Sequence, residues 1–217
     1  MIDGIQLKVC GLTTLVDAEA SDACGADYLG FNFYAKSPRH ISLAQYRSMA
    51  SRLPPRRKVA VSVEPGLPEL VAMRDAGFDR FQVHFRHDLP AGLIEGWSKA
   101  VGPENLWLAP KLPPGVDVPG EWLSLSEAFL LDTFDPELFG GTGRTGDWAK
   151  FRRHREANLG KTWILSGGLS PGNVAEALLG TGARFLDVNS GVESSPGVKD
   201  HAKLKALVAA IRGPRAR

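Results

Sequence analysis

The segment TWILSGGLSPGNVAEALLGTGARFLDVNSGVE, residues 162–193, decides the fold. It contains an apolar run from Thr162 to Ser166, a stretch of helical period from Pro171 to Thr181, and a second apolar run from Arg184 to Asn189. A strand, a helix and a strand in this order make a βαβ unit, in which a crossover of about a dozen residues joins two parallel strands. The segment therefore predicts a parallel sheet that is covered by helices.

The same alternation continues toward the amino terminus and beyond the segment. Further strands are predicted at Gln6 to Cys10, Tyr28 to Phe33, Lys58 to Val63, Arg80 to His84, Leu106 to Lys111 and Ala128 to Asp132. Further helices are predicted at Thr14 to Cys24, Leu43 to Arg52, Leu67 to Ala76, Ala91 to Val101, Trp148 to Asn158 and Asp200 to Ile211. The crossover from Leu112 to Glu127 is rich in proline and glycine, so we expect no full helix there.

Eight parallel strands with outer helices predict an α/β fold, a (β/α)8 TIM barrel whose fifth helix is degenerate. We expect one domain over residues 1–217, a length near the lower end of the range for this fold. A doubly wound open sheet is the main structural alternative. It is disfavoured because the first strand is not followed by a Gly-x-Gly-x-x-Gly turn.

Composition excludes several classes of protein. The chain is 43% hydrophobic and 23% charged, which is typical of globular domains. The net charge of +2 offers no large basic face for nucleic acid. No apolar run approaches the ~18 residues that span a bilayer, and the amino-terminal residues lack the apolar core of a signal peptide. With Cys10 and Cys24 as the two cysteines, we expect a cytoplasmic protein without nucleic-acid or membrane partners. The sequence does not distinguish a monomer from a homodimer, because this fold occurs in both forms.

In a TIM barrel, function belongs to the loops after the carboxyl ends of the strands. Cys10 ends the first predicted strand and Asp132 ends the sixth. A buried cysteine is more often a small hydrophobe than a functional group. Asp132 either caps the following loop or acts as a general acid, with a pKa raised by its apolar neighbours. Together, an acid and a potential base on separate strands suit proton transfer within one substrate.

Lys8 precedes Cys10 by two residues, so both side chains share one face of the first strand. A buried ammonium group needs a partner, and Asp187 on the neighbouring eighth strand offers one. We predict a Lys8–Asp187 pair beneath the site. The residual positive potential would favour a thiolate at Cys10.

Two further side chains are candidate substrate ligands. Arg39 lies near Lys36 and His40 in the loop after the second strand. Such clusters are usually solvated, but a guanidinium group can grip a carboxylate in a fork. His84 ends the fourth strand as either a ligand contact or a core histidine, and the sequence does not separate these alternatives.

Glycine is concentrated in the last part of the chain, where 12 of the 24 glycines lie between Gly140 and Gly197. Many of these fall in the loops after strands six, seven and eight. Such loops allow backbone N–H groups to converge on an anion, and phosphate commonly binds after strands seven and eight of this fold. Simple tight turns are the alternative explanation. The candidate phosphate ligands are Gly141, Thr142, Gly143, Gly167, Gly168, Asn189, Ser190 and Gly191.

A set of motifs in this order resembles one known family, phosphoribosylanthranilate isomerase. The motifs are KVCGLT at 8–13, GFNFYAKSPR at 30–39, LLD at 130–132, GGTGRT at 140–145, SGGL at 166–169, DVNSGVE at 187–193 and PGVKD at 196–200. The resemblance implies a TIM barrel that performs an Amadori rearrangement of N-(5-phosphoribosyl)anthranilate in tryptophan biosynthesis, without a cofactor or metal.

The resemblance also implies residue roles. The aspartic acid at position 132 would protonate the furanose ring oxygen, and the cysteine at position 10 would then remove the C2 proton. Arg39 would bind the anthranilate carboxylate, and the glycine loops would bind the 5′-phosphate.

Some stretches depart from the family pattern, chiefly at Glu64, Phe85 and Pro110. These departures put contacts on the aromatic side of the substrate in doubt and predict a reshaped loop after the fourth strand. Other phosphosugar isomerases or epimerases on the same barrel remain alternatives, as does a catalytically silent sensor of a phosphorylated metabolite. A metal-dependent epimerase would need several ligands at strand ends, where only His84 qualifies, and a sensor would not need Cys10 and Asp132 together.

Overall fold

Eight parallel strands form a closed barrel in sequence order in the computed structural model, which describes residues 1–132 and 147–213. The first and last strands pair in parallel, with Lys8 opposite Asp187, and this pairing closes the sheet. The strands are β1 Gln6–Val9, β2 Tyr28–Asn32, β3 Arg57–Val63, β4 Arg80–Arg86, β5 Leu106–Lys111, β6 Ala128–Leu131, β7 Thr162–Leu165 and β8 Phe185–Val188. The predicted TIM barrel is confirmed, and an open sheet is excluded.

Helices cover the outside of the barrel close to the predicted positions. They are α1 Leu15–Ala23, α2 Leu43–Ala50, α3 Leu67–Asp75, α4 Ala91–Val101, α5 Trp148–Ala157, α6 Val174–Thr181 and α7 His201–Arg212. The crossover after β5 carries only a 3-10 helix, Gly120–Leu125, as its composition predicts. Within the described part of the chain, no helix is long and apolar enough to cross a membrane.

The start of α6 differs from the prediction by three residues, because the side chain of Asn173 builds a turn instead. Its Oδ1 accepts a hydrogen bond from the backbone N–H of Ser170 at 2.8 Å, and its Nδ2 donates to the carbonyl of Gly168 at 2.9 Å. These bonds fix the loop that follows β7.

A short antiparallel ribbon after β8 was not predicted. It consists of β9 Glu193–Ser195 and β10 Val198–Lys199, and it follows a 3-10 turn at Ser190–Val192. The hydroxyl of Thr13 donates to the carbonyl of Gly197 at 2.7 Å. The ribbon is therefore tied to the loop after β1, at the carboxyl end of the barrel.

The barrel interior contains two different layers. Tyr28, Trp107 and Phe185 form an aromatic plug, with ring centroids 5.1 to 5.3 Å apart. Lys8, Gln82 and Asp187 are also buried, and we call them the polar layer. Asp187 lies two residues nearer the carboxyl end of β8 than Phe185, so the polar layer separates the plug from the mouth of the barrel.

Candidate active site

Cys10 lies at the mouth, directly after β1, where its backbone N–H donates to the carbonyl of Val188 at 2.8 Å. Its side chain is 4% exposed and belongs to the cluster inside the barrel. Gly11 follows with a φ of +69°, and a Cβ there would lie 2.6 Å from Asn189 Oδ1 and 2.7 Å from Arg39 Cδ. Only glycine allows this approach, which brings Arg39 and Asn189 beside the backbone next to Cys10.

The predicted pair beneath Cys10 is confirmed. Lys8 Nζ donates to Asp187 Oδ1 at 2.9 Å, and the Lys8 side chain is fully buried. Gly30 on β2 leaves room for it, since a Cβ at that position would lie 2.9 Å from Lys8 Cε. Burial works against the charge of Lys8, yet the attraction of Asp187 outweighs it and raises the pKa of Lys8.

The positive potential beside Cys10 favours a thiolate, as predicted, but burial opposes it. Burial raises the pKa of the Cys10 thiol, and this effect exceeds the opposing influence of Lys8 and Lys199. Lys8 lies where the sequence predicted it. The loss of hydration at Cys10 nevertheless raises the thiol pKa by more than Lys8 and Lys199 lower it. Lys8 and Lys199 therefore oppose the effect of burial on the Cys10 thiol without cancelling it.

Asp132 directly follows β6, at the carboxyl end of the barrel. Together with Leu131, Lys150, Phe151 and Ser166 it borders a cavity of about 70 Å³ between β5, β6 and β7. Cys10 is next to β2 and β8, so the predicted acid and base lie on separate strands of the same rim, as expected. The predicted phosphate ligands Gly141, Thr142 and Gly143 lie outside the described residues.

The loops after β7 and β8 meet at the same rim. Gly167 and Gly168 adopt φ values of +92° and +61°, which favour glycine. A Cβ on Gly191 would overlap the carbonyl oxygen of Leu169, so the turn after β8 rests directly on the loop after β7. The structure thus brings Gly167, Gly168, Ser190 and Gly191 together, and their binding of phosphate stays a prediction.

Arg39 differs in burial from the other two basic residues of its loop. Lys36 and His40 are exposed, whereas Arg39 is buried and forms an ion pair with Glu193 of the ribbon. Its Nε donates to both carboxylate oxygens at 2.9 and 3.1 Å, and its Nη2 donates to Oε2 at 2.7 Å. A carboxylate ligand for Arg39 stays a prediction.

Glu193 and Lys199 were missed as site residues by the sequence reasoning. Both lie in motifs that carry the family resemblance, but neither was given a role there. Lys199 Nζ, fully buried, donates to Glu193 Oε1 at 2.8 Å and to Asn189 Oδ1 at 2.9 Å. Glu193 and Lys199 are six residues apart. A predicted hairpin over this stretch would have placed them together as an internal ion pair.

His84 lies half-buried at the mouth, with its Nε2 2.8 Å from Gln82 Nε2. Burial, aided by the charge of Lys8, lowers the pKa of His84 to about 3, so the imidazole is neutral near pH 7. A neutral ring at this place offers hydrogen bonds and no charge. Its contact with substrate stays a prediction.

The strand that carries His84 runs two residues beyond its predicted end, to Arg86. Phe85 points away from the mouth and packs against Trp97 and Trp122, with ring centroids 5.5 and 5.2 Å away. Glu64, whose φ is +45°, accepts a hydrogen bond from the backbone N–H of Arg86 at 3.0 Å. The loops after β3 and β4 are therefore joined at this part of the rim.

Comparison with known proteins agrees with this geometry. The profile of the family described as N-(5′-phosphoribosyl)anthranilate (PRA) isomerase matches residues 7–210. The N-(5′-phosphoribosyl)anthranilate isomerase of Pseudomonas fluorescens (strain Pf0-1) is 37% identical over 213 residues, which cover 97% of this chain and 100% of the relative.

Solved structures show the same likeness. The crystal structure of phosphoribosyl anthranilate isomerase from Thermus thermophilus superposes with a TM-score of 0.78 at 31% identity, over 95% of this chain and 98% of that one. A phosphoribosyl anthranilate isomerase in complex with reduced 1-(o-carboxyphenylamino)-1-deoxyribulose 5-phosphate gives a TM-score of 0.75 at 30% identity, over 97% and 100% of the two chains. The chain belongs to the N-(5′-phosphoribosyl)anthranilate isomerase family.

Proposed function

We propose that the protein converts N-(5-phosphoribosyl)anthranilate to 1-(2-carboxyphenylamino)-1-deoxyribulose 5-phosphate, an aldose–ketose isomerisation of tryptophan biosynthesis. The observation that carries the proposal is the placement of Cys10 and Asp132. In a chain of this family, a thiol after β1 and a carboxyl group after β6 share the rim where TIM barrels carry their active sites. The reaction needs an acid and a base on separate sides of one ribose.

Asp132 and Cys10 divide the proton transfers between them. Asp132 gives a proton to the furanose ring oxygen as the C1–O bond breaks, and the product is an open-chain Schiff base. The Cys10 thiol passes its proton to solvent, and the thiolate then takes the proton from C2, so that the electrons of that bond form the enolamine. Tautomerisation adds a proton at C1 and removes one from the 2-hydroxyl, and Asp132 regains its proton from solvent, so the rearrangement consumes no net proton.

The electrostatics around Cys10 fit a base that acts only with substrate present. Burial raises the pKa of the Cys10 thiol, while Lys8 and Lys199 oppose this effect. A protonated Schiff base adds a further positive charge beside the sulfur and favours loss of the thiol proton to solvent. The base is thereby activated by the intermediate that it must deprotonate.

The two ends of the substrate have separate candidate anchors. The loops that meet at Gly191 are proposed to bind the 5′-phosphate through backbone N–H groups, whereas Asn189 lies beside Arg39 next to Gly11. Arg39, beside Gly11, is proposed to bind the anthranilate carboxylate. His84 would then contact the substrate between them as a neutral hydrogen-bonding group.

The remaining parts of the proposal concern partners and location. The partner is a phosphorylated small molecule, and neither a nucleic acid nor a membrane is involved. A cytoplasmic location is supported by the two cysteines and by the place of the reaction in amino-acid biosynthesis. The barrel is compatible with a monomer and with a homodimer.

The test is the loss of substrate fluorescence when freshly made phosphoribosylanthranilate is added to the purified protein. The wild type should turn it over, and Cys10→Ala and Asp132→Asn should each lower kcat by about 10²- to 10⁴-fold, because each removes a positioned proton-transfer group. Cys24→Ala is the matched control, since Cys24 is half-buried at the end of α1, and it should keep wild-type turnover. Folded wild-type protein without turnover would contradict the proposal and favour the silent sensor.

A further inference from the structure

The ribbon after β8 holds a buried cluster of charges beside the mouth. Glu193 accepts hydrogen bonds from Arg39, from Lys199 Nζ at 2.8 Å and from the backbone N–H of Gly197 at 3.2 Å. The side chains of Arg39, Glu193 and Lys199 are 11%, 4% and 0% exposed. Arg39 and Lys199 thus share one carboxylate, and burial lowers the pKa of Lys199 although Glu193 opposes this effect.

Glu193 engages only one edge of the Arg39 guanidinium group. A guanidinium carries five N–H groups in one plane, and Glu193 takes the edge that contains Nε–H and one N–H of Nη2. The two N–H groups of Nη1 and the second N–H of Nη2 form the other edge. That other edge matches a second carboxylate in the same bidentate way.

Hydrogen bonds and close contacts hold the guanidinium group in this orientation. Burial opposes the charge of Glu193, yet hydrogen bonds from Arg39 and the charge of Lys199 hold the pKa of that carboxyl group below its usual range. Lys199 also reaches Asn189 Oδ1 at 2.9 Å, and Gly11 is in contact with both Asn189 and the Arg39 stem. The guanidinium is therefore held from the ribbon on one side and from the backbone after Cys10 on the other.

We propose that Glu193 and Lys199 are positioning residues that set the selectivity for a carboxylate on the aromatic ring of the substrate. They hold Arg39 by one edge, so that the ring carboxylate takes the other. This inference rests on the proposed function, because it assigns the means by which the same site selects its substrate. Neither Glu193 nor Lys199 need touch the substrate for this purpose.

The experiment compares two ligands on the folded protein by isothermal titration calorimetry. One is reduced 1-(o-carboxyphenylamino)-1-deoxyribulose 5-phosphate, and the other is the same compound without the ring carboxyl group. In Glu193→Gln, Kd for the first should rise about 10- to 100-fold, as for the loss of a charge-assisted bidentate bond, while Kd for the second stays within about twofold. Glu95→Gln, an exposed helix pair with Lys99, is the matched control and should change neither Kd.

A merely structural role would weaken both ligands alike, and that result would overturn the proposal. The same would follow from a double variant, Arg39→Met with Glu193→Gln, that binds the carboxylated ligand still more weakly than Arg39→Met alone. If Glu193→Gln does not fold, Glu193→Asp keeps the charge and shortens the arm, and it should shift the ratio of the two Kd values in the same direction. Failure of the proposed function is distinguishable, because it would appear as absent turnover of phosphoribosylanthranilate by the wild type, whereas this titration measures binding alone.

Discussion

The aromatic plug and the polar layer occupy adjacent levels of one barrel interior, but they bury opposite kinds of side chain. Tyr28, Trp107 and Phe185 contact one another edge to face or stacked and contribute apolar area together with favourable ring geometry. Lys8 and Asp187 instead lose most of their hydration when they are buried, and a buried ion pair is commonly no better for stability than an apolar pair. The comparison indicates that the end of the interior away from the mouth serves stability, while the layer beneath Cys10 serves chemistry.

The largest effect should come from breaking the polar layer at Lys8. Lys8→Met leaves Asp187 buried without its cation, so the free energy of unfolding should fall by about 3 to 5 kcal/mol in urea denaturation. Activity should fall too, by about tenfold for each unit by which the pKa of Cys10 rises when the nearest cation is lost.

A second variant separates these two effects. Lys8→Met combined with Asp187→Asn removes the uncompensated charge and should recover most of the stability, but not the activity. Lys99→Met, on an exposed i,i+4 pair, is the matched control and should cost less than about 0.5 kcal/mol. If the free energy of unfolding of Lys8→Met lies within about 1 kcal/mol of the wild-type value, the Lys8–Asp187 pair is not fully buried.

A smaller effect, dependent on pH, should come from His84 above the polar layer. The pKa of His84 is about 3 in the folded protein against a usual 6.5, so the unfolded chain binds a proton below pH 6.5 that the folded protein refuses. Stability from the neutral imidazole is therefore present above pH 6.5 and is lost as the pH falls toward 3. Between pH 7.5 and 5 the loss should be about 2 kcal/mol.

The measurement is the free energy of unfolding of the wild type and of His84→Gln at both pH values. Glutamine keeps a hydrogen-bonding partner for Gln82 but cannot titrate, so the variant should lose about 2 kcal/mol less than the wild type over this interval. Equal losses in the two proteins would show that His84 titrates normally.

The smallest effect should come from the aromatic plug. Phe185→Leu keeps an apolar side chain of similar volume but removes the ring contacts with Tyr28 and Trp107, which should cost about 1 kcal/mol of stability. Turnover should stay within about twofold of the wild type, because no plug residue reaches the mouth. A loss of kcat as large as that of Lys8→Met would erase the distinction between the two layers.

Local patterns were enough to predict most of the barrel. Strand and helix positions follow from the periodicity of apolar side chains. In the closed barrel these apolar side chains are the ones that become buried. The pairing of Lys8 with Asp187 was also predictable, because it needs only strand alternation and the closure of β1 on β8.

Features that depend on three-dimensional packing were not predictable in the same way. The ribbon at Glu193–Ser195 is too short for periodicity to reveal, so the partners of Arg39 were missed. The state of the Cys10 thiol depends on a balance between dehydration and nearby charges, and the sequence indicates the charges but not the extent of burial. The helix start at Pro171 was wrong for a local reason, since Asn173 forms hydrogen bonds with backbone groups three and five residues earlier.

The central claim is that Cys10 removes the C2 proton at the mouth above the polar layer. The most direct measurement is the single-turnover rate, with enzyme in excess, for phosphoribosylanthranilate that carries deuterium at C2. We expect the deuterated substrate to react more slowly than the ordinary one in the wild type, and neither to react appreciably in Cys10→Ala. Equal rates for the two substrates, together with normal turnover by a folded Cys10→Ala protein, would contradict the account.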